Sequence, residues 1–138
     1  MEKEAILSVK DLSVSFRMYD TELEQYDLKV ISNLSLDVRP GEIVAIAGSS
    51  GSGKSLLAHA VMGLLPQNAA ISGEISYKGK VLEQRDKEGL RGKEIALVPQ
   101  SVSYLDPLMK VGAQVRGSKP DKEVIKLQKE IFQRFHLN

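Results

Sequence analysis

The stretch IVAIAGSSGSGKSLLAHAVMGLL, Ile43 to Leu65, changes character twice. Glu42 to Ala47 is a short continuous apolar run of the kind buried on both faces of a parallel sheet. After Gly53 the apolar residues Leu56, Leu57, Ala60, Val61 and Leu64 recur at helical spacing, until Gly63 and Pro66 mark an end. Between the two, Gly48-Ser49-Ser50-Gly51-Ser52-Gly53-Lys54-Ser55 satisfies G-x-x-x-x-G-K-[ST], the phosphate-binding P-loop, in the strand-loop-helix setting that motif requires.

The residue types follow from the chemistry of holding a polyphosphate. Glycines let successive backbone N–H groups turn inward as a concave nest, and the positive end of the following helix favours an anion. Lys54 supplies a full positive charge for the β- and γ-phosphates, and the Ser55 hydroxyl is the expected Mg²⁺ ligand. With glycine at roughly 7% of residues, the pattern arises by chance in about one chain in two hundred of this length. A flexible Gly/Ser linker would not carry an apolar strand on one side and an amphipathic helix on the other. A nucleoside triphosphate site is the strongest inference from the residues alone.

On the N-terminal side, residues 5–16 (AILSVKDLSVSF) alternate apolar and polar and read as one long strand or two short ones, and 28–38 (LKVISNLSLDV) as another. The polar connection RMYDTELEQYD between them reads as a solvated hairpin loop. RPGE (39–42) is a turn. Beyond the P-loop helix come a strand at 72–77, a turn at Lys78-Gly79, a charged stretch 83–93 without a clear local structure, and a second apolar strand, EIALVPQ (94–100). A helix is expected from Ser118, capped toward Asp121, with Val124, Leu127, Ile131 and Phe135 on one face.

Composition narrows the partners. Nineteen Lys and Arg against eighteen Asp and Glu give a formal charge of +1, so no global field favours nucleic acid or an anionic membrane. The absence of cysteine removes disulfides, thiolate nucleophiles and Cys-type zinc sites. The N-terminus reaches no apolar stretch of signal-peptide length and no run approaches bilayer-spanning length, which reads as a cytosolic chain.

Two alternating strands and a PGE turn before the P-loop, an SGEI strand after it, and an apolar strand ending in Gln100 resemble the nucleotide-binding domain of ABC transporter ATPases. The resemblance runs over nearly the whole chain. Within that family, LRGKEIALVPQ followed by LDPLMKVGAQV looks most like the ATP-binding subunits of oligopeptide, dipeptide and nickel importers. It implies an α/β fold: a P-loop NTPase (RecA-like) core with an N-terminal antiparallel β subdomain, incomplete at the C-terminus. Residues 1–41 would be the antiparallel region, 42–100 the P-loop core, and 101–138 the Q-loop and the start of a helical subdomain.

The resemblance also implies roles for residues. Phe16 matches the aromatic position that stacks on adenine, although a strand-end core aromatic is the competing reading and Tyr19 a competing candidate. Gln100 matches the Q-loop glutamine, which reaches Mg²⁺ or the attacking water, so Ser55 and Gln100 together are the implied metal contacts. ATP and Mg²⁺ are the implied ligands. The implied partners are transmembrane permease subunits and a second ATP-binding subunit, at the cytoplasmic face of the cell membrane, with no nucleic acid.

Some residues depart from the family pattern. Gln100 is followed by Ser101-Val102 rather than Asp-Pro, and Ser49 stands where peptide importers commonly carry glutamate. No L-S-G-G-Q signature, no apolar strand ending in an acidic pair and no switch histidine follows Gln100. His59 and His136 read as structural or solvated, and Asp86, Glu88 and Glu94 follow no strand terminus suited to a general base. The expectation is the N-terminal part of an ABC ATPase that binds ATP with little or no turnover. Two other readings remain open. One is a non-catalytic docking module using the region from Gln100 to Val111. The other is a P-loop GTPase or kinase, which lacks an N-K-x-D base-reading motif here.

Overall fold

The computed structural model describes residues 4–117 and 120–137. They fall into two units, one up to Leu97 and one from Val98.

The first unit is built on a four-stranded antiparallel sheet. Its strands are β1 (Leu7–Tyr19), β2 (Gln25–Val38), β3 (Ala69–Tyr77) and β4 (Lys80–Val81), in the order β2-β1-β3-β4. The choice between one long strand and two short ones resolves as one long strand with a bulge. Val9, Leu12 and Val14 are all buried, yet a regular strand would put Val9 and Leu12 on opposite faces. The extra residue is absorbed at Asp11, which takes a left-handed φ of 50°, and the β1–β3 register slips between Lys10 and Ser13. Gly73 lies opposite this bulge at φ 95°, and a Cβ there would come 2.6 Å from the Asp11 and Lys10 carbonyl oxygens, so only glycine fits.

The hairpin loop is shorter than the expected polar connection. Pairing continues through Arg17↔Asp27, Met18↔Tyr26 and Tyr19↔Gln25, leaving Asp20 to Glu24 as the turn. Asp20 closes it by accepting the Glu22 and Glu24 backbone N–H groups at 2.9 and 2.8 Å. Cross-strand pairing overrides the polarity of the residues because both strands are exposed at this end. The turn at Lys78-Gly79 has φ 49° and 78°, the two positive angles a two-residue hairpin needs to match strand twist.

Helix α1 (Lys54–Met62) lays Leu57 and Ala60 against Val9, Leu12, Val14, Ile31, Ile75 and Leu82, which form the core. Burial of each large member contributes about 2 kcal/mol. Gly63 ends the helix in the left-handed region, with its N–H bonded to Ala60 O and the Leu64 N–H to His59 O, the Schellman arrangement. The charged stretch contains helix α2 (Gln84–Leu90), started by a capping box between Glu83 and Asp86.

Two expectations are corrected here. Residues 42–47 and 94–100 are not strands, and apart from an isolated bridge between Arg91 and Ile95 neither segment pairs among the described residues. A strand is defined by a neighbour that accepts its ladder hydrogen bonds, and an apolar run alone does not supply one. Neither run is wholly buried. Val44, Ile46, Ile95 and Leu97 line a cavity of about 240 Å³ shared with β1 and α1, whereas Ile43 and Val98 are 97% and 90% exposed.

The second unit holds a 3-10 turn (Val102–Tyr104), α3 (Val111–Arg116) and α4 (Lys122–Arg134). Ser118, expected to cap the last helix, lies outside the described residues. The cap is Asp121, whose side chain accepts the Val124 N–H at 2.8 Å. Val124, Leu127, Ile131 and Phe135 are all exposed at 37% or more. No helix among the described residues is long and apolar enough to cross a membrane.

Candidate nucleotide site

The segment Gly48 to Ser55 lies entirely in the first unit, between the extended run that lines the apolar cavity and the N-terminus of α1. A turn at its crest is closed by the Ser52 N–H donating to Ser49 O at 3.2 Å. Gly51 and Gly53 take φ 79° and 87°, left-handed angles that side chains strain to adopt. Gly53 is also the helix N-cap and presses on the hairpin: a Cβ there would sit 3.0 Å from Ile31 and 3.3 Å from Val30. The loop is thus seated against β2 by a residue with no side chain.

The first intrahelical bond of α1 runs from the Leu57 N–H to Gly53 O at 2.9 Å. The amides of Lys54, Ser55 and Leu56 therefore have no acceptor within the helix, and no acidic side chain lies in its first turn. Lys54 turns back over the loop, donating to Gly48 O and Ser49 O at 2.6 Å each and to Ser52 Oγ at 3.2 Å. A Cβ on Gly48 would meet Ser52 Oγ at 2.5 Å, so a side chain at Gly48 would crowd the hydroxyl that receives Lys54. Ser50 and Gly51 are exposed at the crest, and Ser55 is exposed in the first turn of the helix. Amides without intrahelical acceptors, the Lys54 ammonium and a first turn without acidic side chains form a donor set that fits a polyphosphate with its counter-cation.

The far end of α1 is held by residues that sequence reasoning missed. Arg91 donates from Nε to Met62 O at 2.6 Å and from Nη2 to Gly63 O at 2.5 Å. Gln84 donates to Gly63 O at 2.9 Å and Lys87 to Ala60 O at 3.1 Å. Burial pushes the Lys87 ammonium below its ordinary value. These cations sit where the helix dipole is negative, so the helix bearing the loop is fixed at its C-terminus as well as by its packed face. The signal was present as three long donors at positions 84, 87 and 91, one helical face, in a stretch whose helicity was not recognised.

Phe16 lies on β1, half-buried and packed against the core, paired with Leu28 and Ala69. It shares a strand face with Val14, whose β2 partner Ile31 is the residue that meets Gly53. Tyr19 is 63% exposed farther along the strand. Gln100 belongs to the second unit, exposed, just ahead of the 3-10 turn. Within the first unit, then, the structure gathers Gly48, Ser49, Ser52 and Lys54 into one bonded group, with Gly53 seating it. His59 is half-buried in α1, and His136 follows α4 with φ 54°.

A glycine loop whose lysine arches over it, at the head of a helix packed on an antiparallel sheet, defines a P-loop protein. The family model for ABC transporter matches residues 31–137, and the chain belongs to that family. It is 39% identical over 120 residues to a dipeptide transport ATP-binding protein of Lactococcus lactis subsp. cremoris, covering 83% of this chain and 33% of that protein. It is 38% identical over 116 residues to an oligopeptide transport ATP-binding protein of Bacillus subtilis, covering 80% of this chain and 31% of that one. A peptidoglycan transport ATP-binding protein of Agrobacterium fabrum is also 38% identical over 116 residues, covering 80% of this chain and 20% of its own length. The chain spans about a third or less of the length of these curated relatives.

Proposed function

We propose that these residues form the phosphate-binding part of the ATP-binding subunit of a peptide-type ABC importer. The observation that carries the reading is the Lys54 arch over Gly48 and Ser49 beside unpaired helix amides. Gly48 to Ser55 would hold ATP, with the loop amides and Lys54 on its phosphates and the Ser55 hydroxyl on Mg²⁺. Phe16 would stack on the base, and Gln100 would contact the metal or the attacking water. The bound Mg²⁺ would neutralise phosphate charge as the terminal phosphoryl group leaves.

Residues 1–41, 42–100 and 101–138 would serve as the antiparallel region, P-loop core and Q-loop region. Residues 100–111 are read as the surface facing membrane-embedded permease subunits, with a second ATP-binding subunit completing the assembly at the cytoplasmic face. Tyr104 and Leu108, 67% and 96% exposed, support that reading of the segment. The names of the relatives favour peptides as the transported class.

The test is ATP-driven peptide uptake by the whole transporter carrying Lys54→Ala. The expected result is loss of uptake with the subunit still assembled at the membrane. Undiminished uptake would overturn the reading.

A further inference from the structure

The segment after the 3-10 turn is closed by one side chain from α3. Gln114 Oε1 accepts the Asp106 backbone N–H at 2.8 Å, while Gln114 Nε2 donates to Asp106 O at 2.8 Å and to Met109 O at 2.9 Å. Inside the loop, the Asp106 carboxylate accepts the Leu108 N–H at 2.8 Å, and the Met109 N–H reaches Asp106 O at 3.3 Å. One carboxamide thus makes three bonds to main-chain groups that neither helix nor sheet satisfies. At the tip of the same loop Leu108 is 96% exposed. An apolar side chain is held out in water by a loop that a polar side chain keeps closed.

We propose that Gln114 is a positioning residue: its carboxamide clamps Asp106 to Met109 so that Leu108 is presented in one fixed place before any partner arrives. Both halves of the amide are needed. The oxygen takes the Asp106 N–H and the nitrogen takes two carbonyls, which neither a carboxylate nor a hydroxyl can reproduce at neutral pH. Pre-ordering the loop removes an ordering cost from the docking step. That consequence rests on reading 100–111 as partner-facing, whereas the clamp itself does not.

The chain has no cysteine, so Leu108→Cys gives a single attachment point for a spin label, and Lys129→Cys on α4 gives a control in the same unit. Label mobility is compared in the full chain with Gln114 intact, with Gln114→Ala and with Gln114→Glu, beside amide exchange at Asp106. With Gln114→Ala the label at 108 is expected to become mobile and Asp106 exchange to accelerate about tenfold, the effect of losing a well-made hydrogen bond. The control should not change. Gln114→Glu should be equally mobile near neutral pH and regain order as the pH falls through about 4 to 6, where its carboxyl becomes a donor. Asp106 carries the loop's own carboxyl in every variant, and Lys110 the neighbouring cation, so only the difference from Gln114→Ala counts.

Three results would each overturn the clamp. The label at 108 could stay ordered in Gln114→Ala. Both labels could loosen together, which would make Gln114 a general support of the unit. Gln114→Glu could follow Gln114→Ala at every pH, which would mean that donation is not what matters. No partner is needed for this readout, so a failure of the partner-facing reading, judged by uptake, stays separate from a failure of the clamp.

Discussion

The Lys54 ammonium lies 2.6 Å from the carbonyl oxygen of Gly48, six residues before it, and so closes the glycine loop on itself. The contact holds a cation on the loop's own main-chain oxygens, in place ahead of any anion. A triphosphate offers that ammonium charged oxygens in exchange for neutral carbonyls, and hydrogen bonds to charged groups are the stronger ones. The loop is therefore preorganised by the side chain proposed to bind the phosphates.

Gly53 tests how the loop is seated. Gly53→Ala would put a methyl group 3.0 Å from Ile31 at φ 87°, so both packing and backbone oppose it. We expect a loss of about 2 kcal/mol of stability by denaturant unfolding and weaker nucleotide binding. Gly51→Ala, at φ 79° with nothing within 4 Å, should cost about 1 kcal/mol, the backbone strain alone.

Gly73 opposite the Asp11 bulge is the least replaceable position of the sheet. Gly73→Ala would drive a methyl group to 2.6 Å from two backbone carbonyl oxygens, which cannot move without breaking the β1–β3 ladder. Loss of more than about 3 kcal/mol is expected. Gly79→Ala, in the two-residue turn with open space around it, is the control and should cost about 1 kcal/mol.

Arg91→Ala would leave the Met62 and Gly63 carbonyls without their guanidinium donors. Partly buried charged hydrogen bonds of this kind are worth about 1.5–3 kcal/mol together with their dipole contribution. Arg91→Lys should recover less than half, because one ammonium cannot match the two-point geometry. Thermal unfolding of the three proteins measures the difference.

Acid should loosen α2 before the sheet. The Lys80 ammonium, and then the Glu83 backbone N–H, hold the Asp86 carboxyl below its ordinary value, and Lys78 does the same for Glu94. A carboxyl whose folded pKa is depressed stabilises the fold above its unfolded value and loses that contribution as pH falls through the folded one. Stability should therefore drop on acidification below about pH 4, and Asp86→Asn should remove part of the drop. A pH series of unfolding midpoints for both proteins checks this.

The base-stacking assignment separates two aromatics. Phe16→Leu keeps most of the apolar packing but removes the flat ring, so ATP affinity should fall about fivefold with little loss of stability. Tyr19→Ala should change neither. The reverse pattern in an ATP titration would move the assignment to Tyr19.

What the sequence made legible follows a physical division. The P-loop, its helix and the Gly63 stop depend on local backbone chemistry, and glycine spacing states them openly. That residues 5–16 are strand was legible, but not that they form one long strand with a bulge, since the three-residue step from Val9 to Leu12 shows its meaning only against Gly73 of another strand. Residues 42–47 and 94–100 carry strand-like apolar runs, and whether a run becomes a strand depends on partners outside it. Gln114 acts through main-chain groups five and eight residues before it, which leave no periodic trace, whereas Arg91 shares a helical face with Gln84 and Lys87 that shows only once the helix itself is known.

The most direct test is calorimetric titration of this 138-residue chain with Mg-ATP beside Lys54→Ala. The parent chain is expected to bind and the variant to lose about ten- to hundredfold in affinity, the scale of a removed charge-assisted phosphate contact. Equal affinity in the two proteins, or no binding by the parent, would contradict the claim that the Lys54 loop is a working phosphate site.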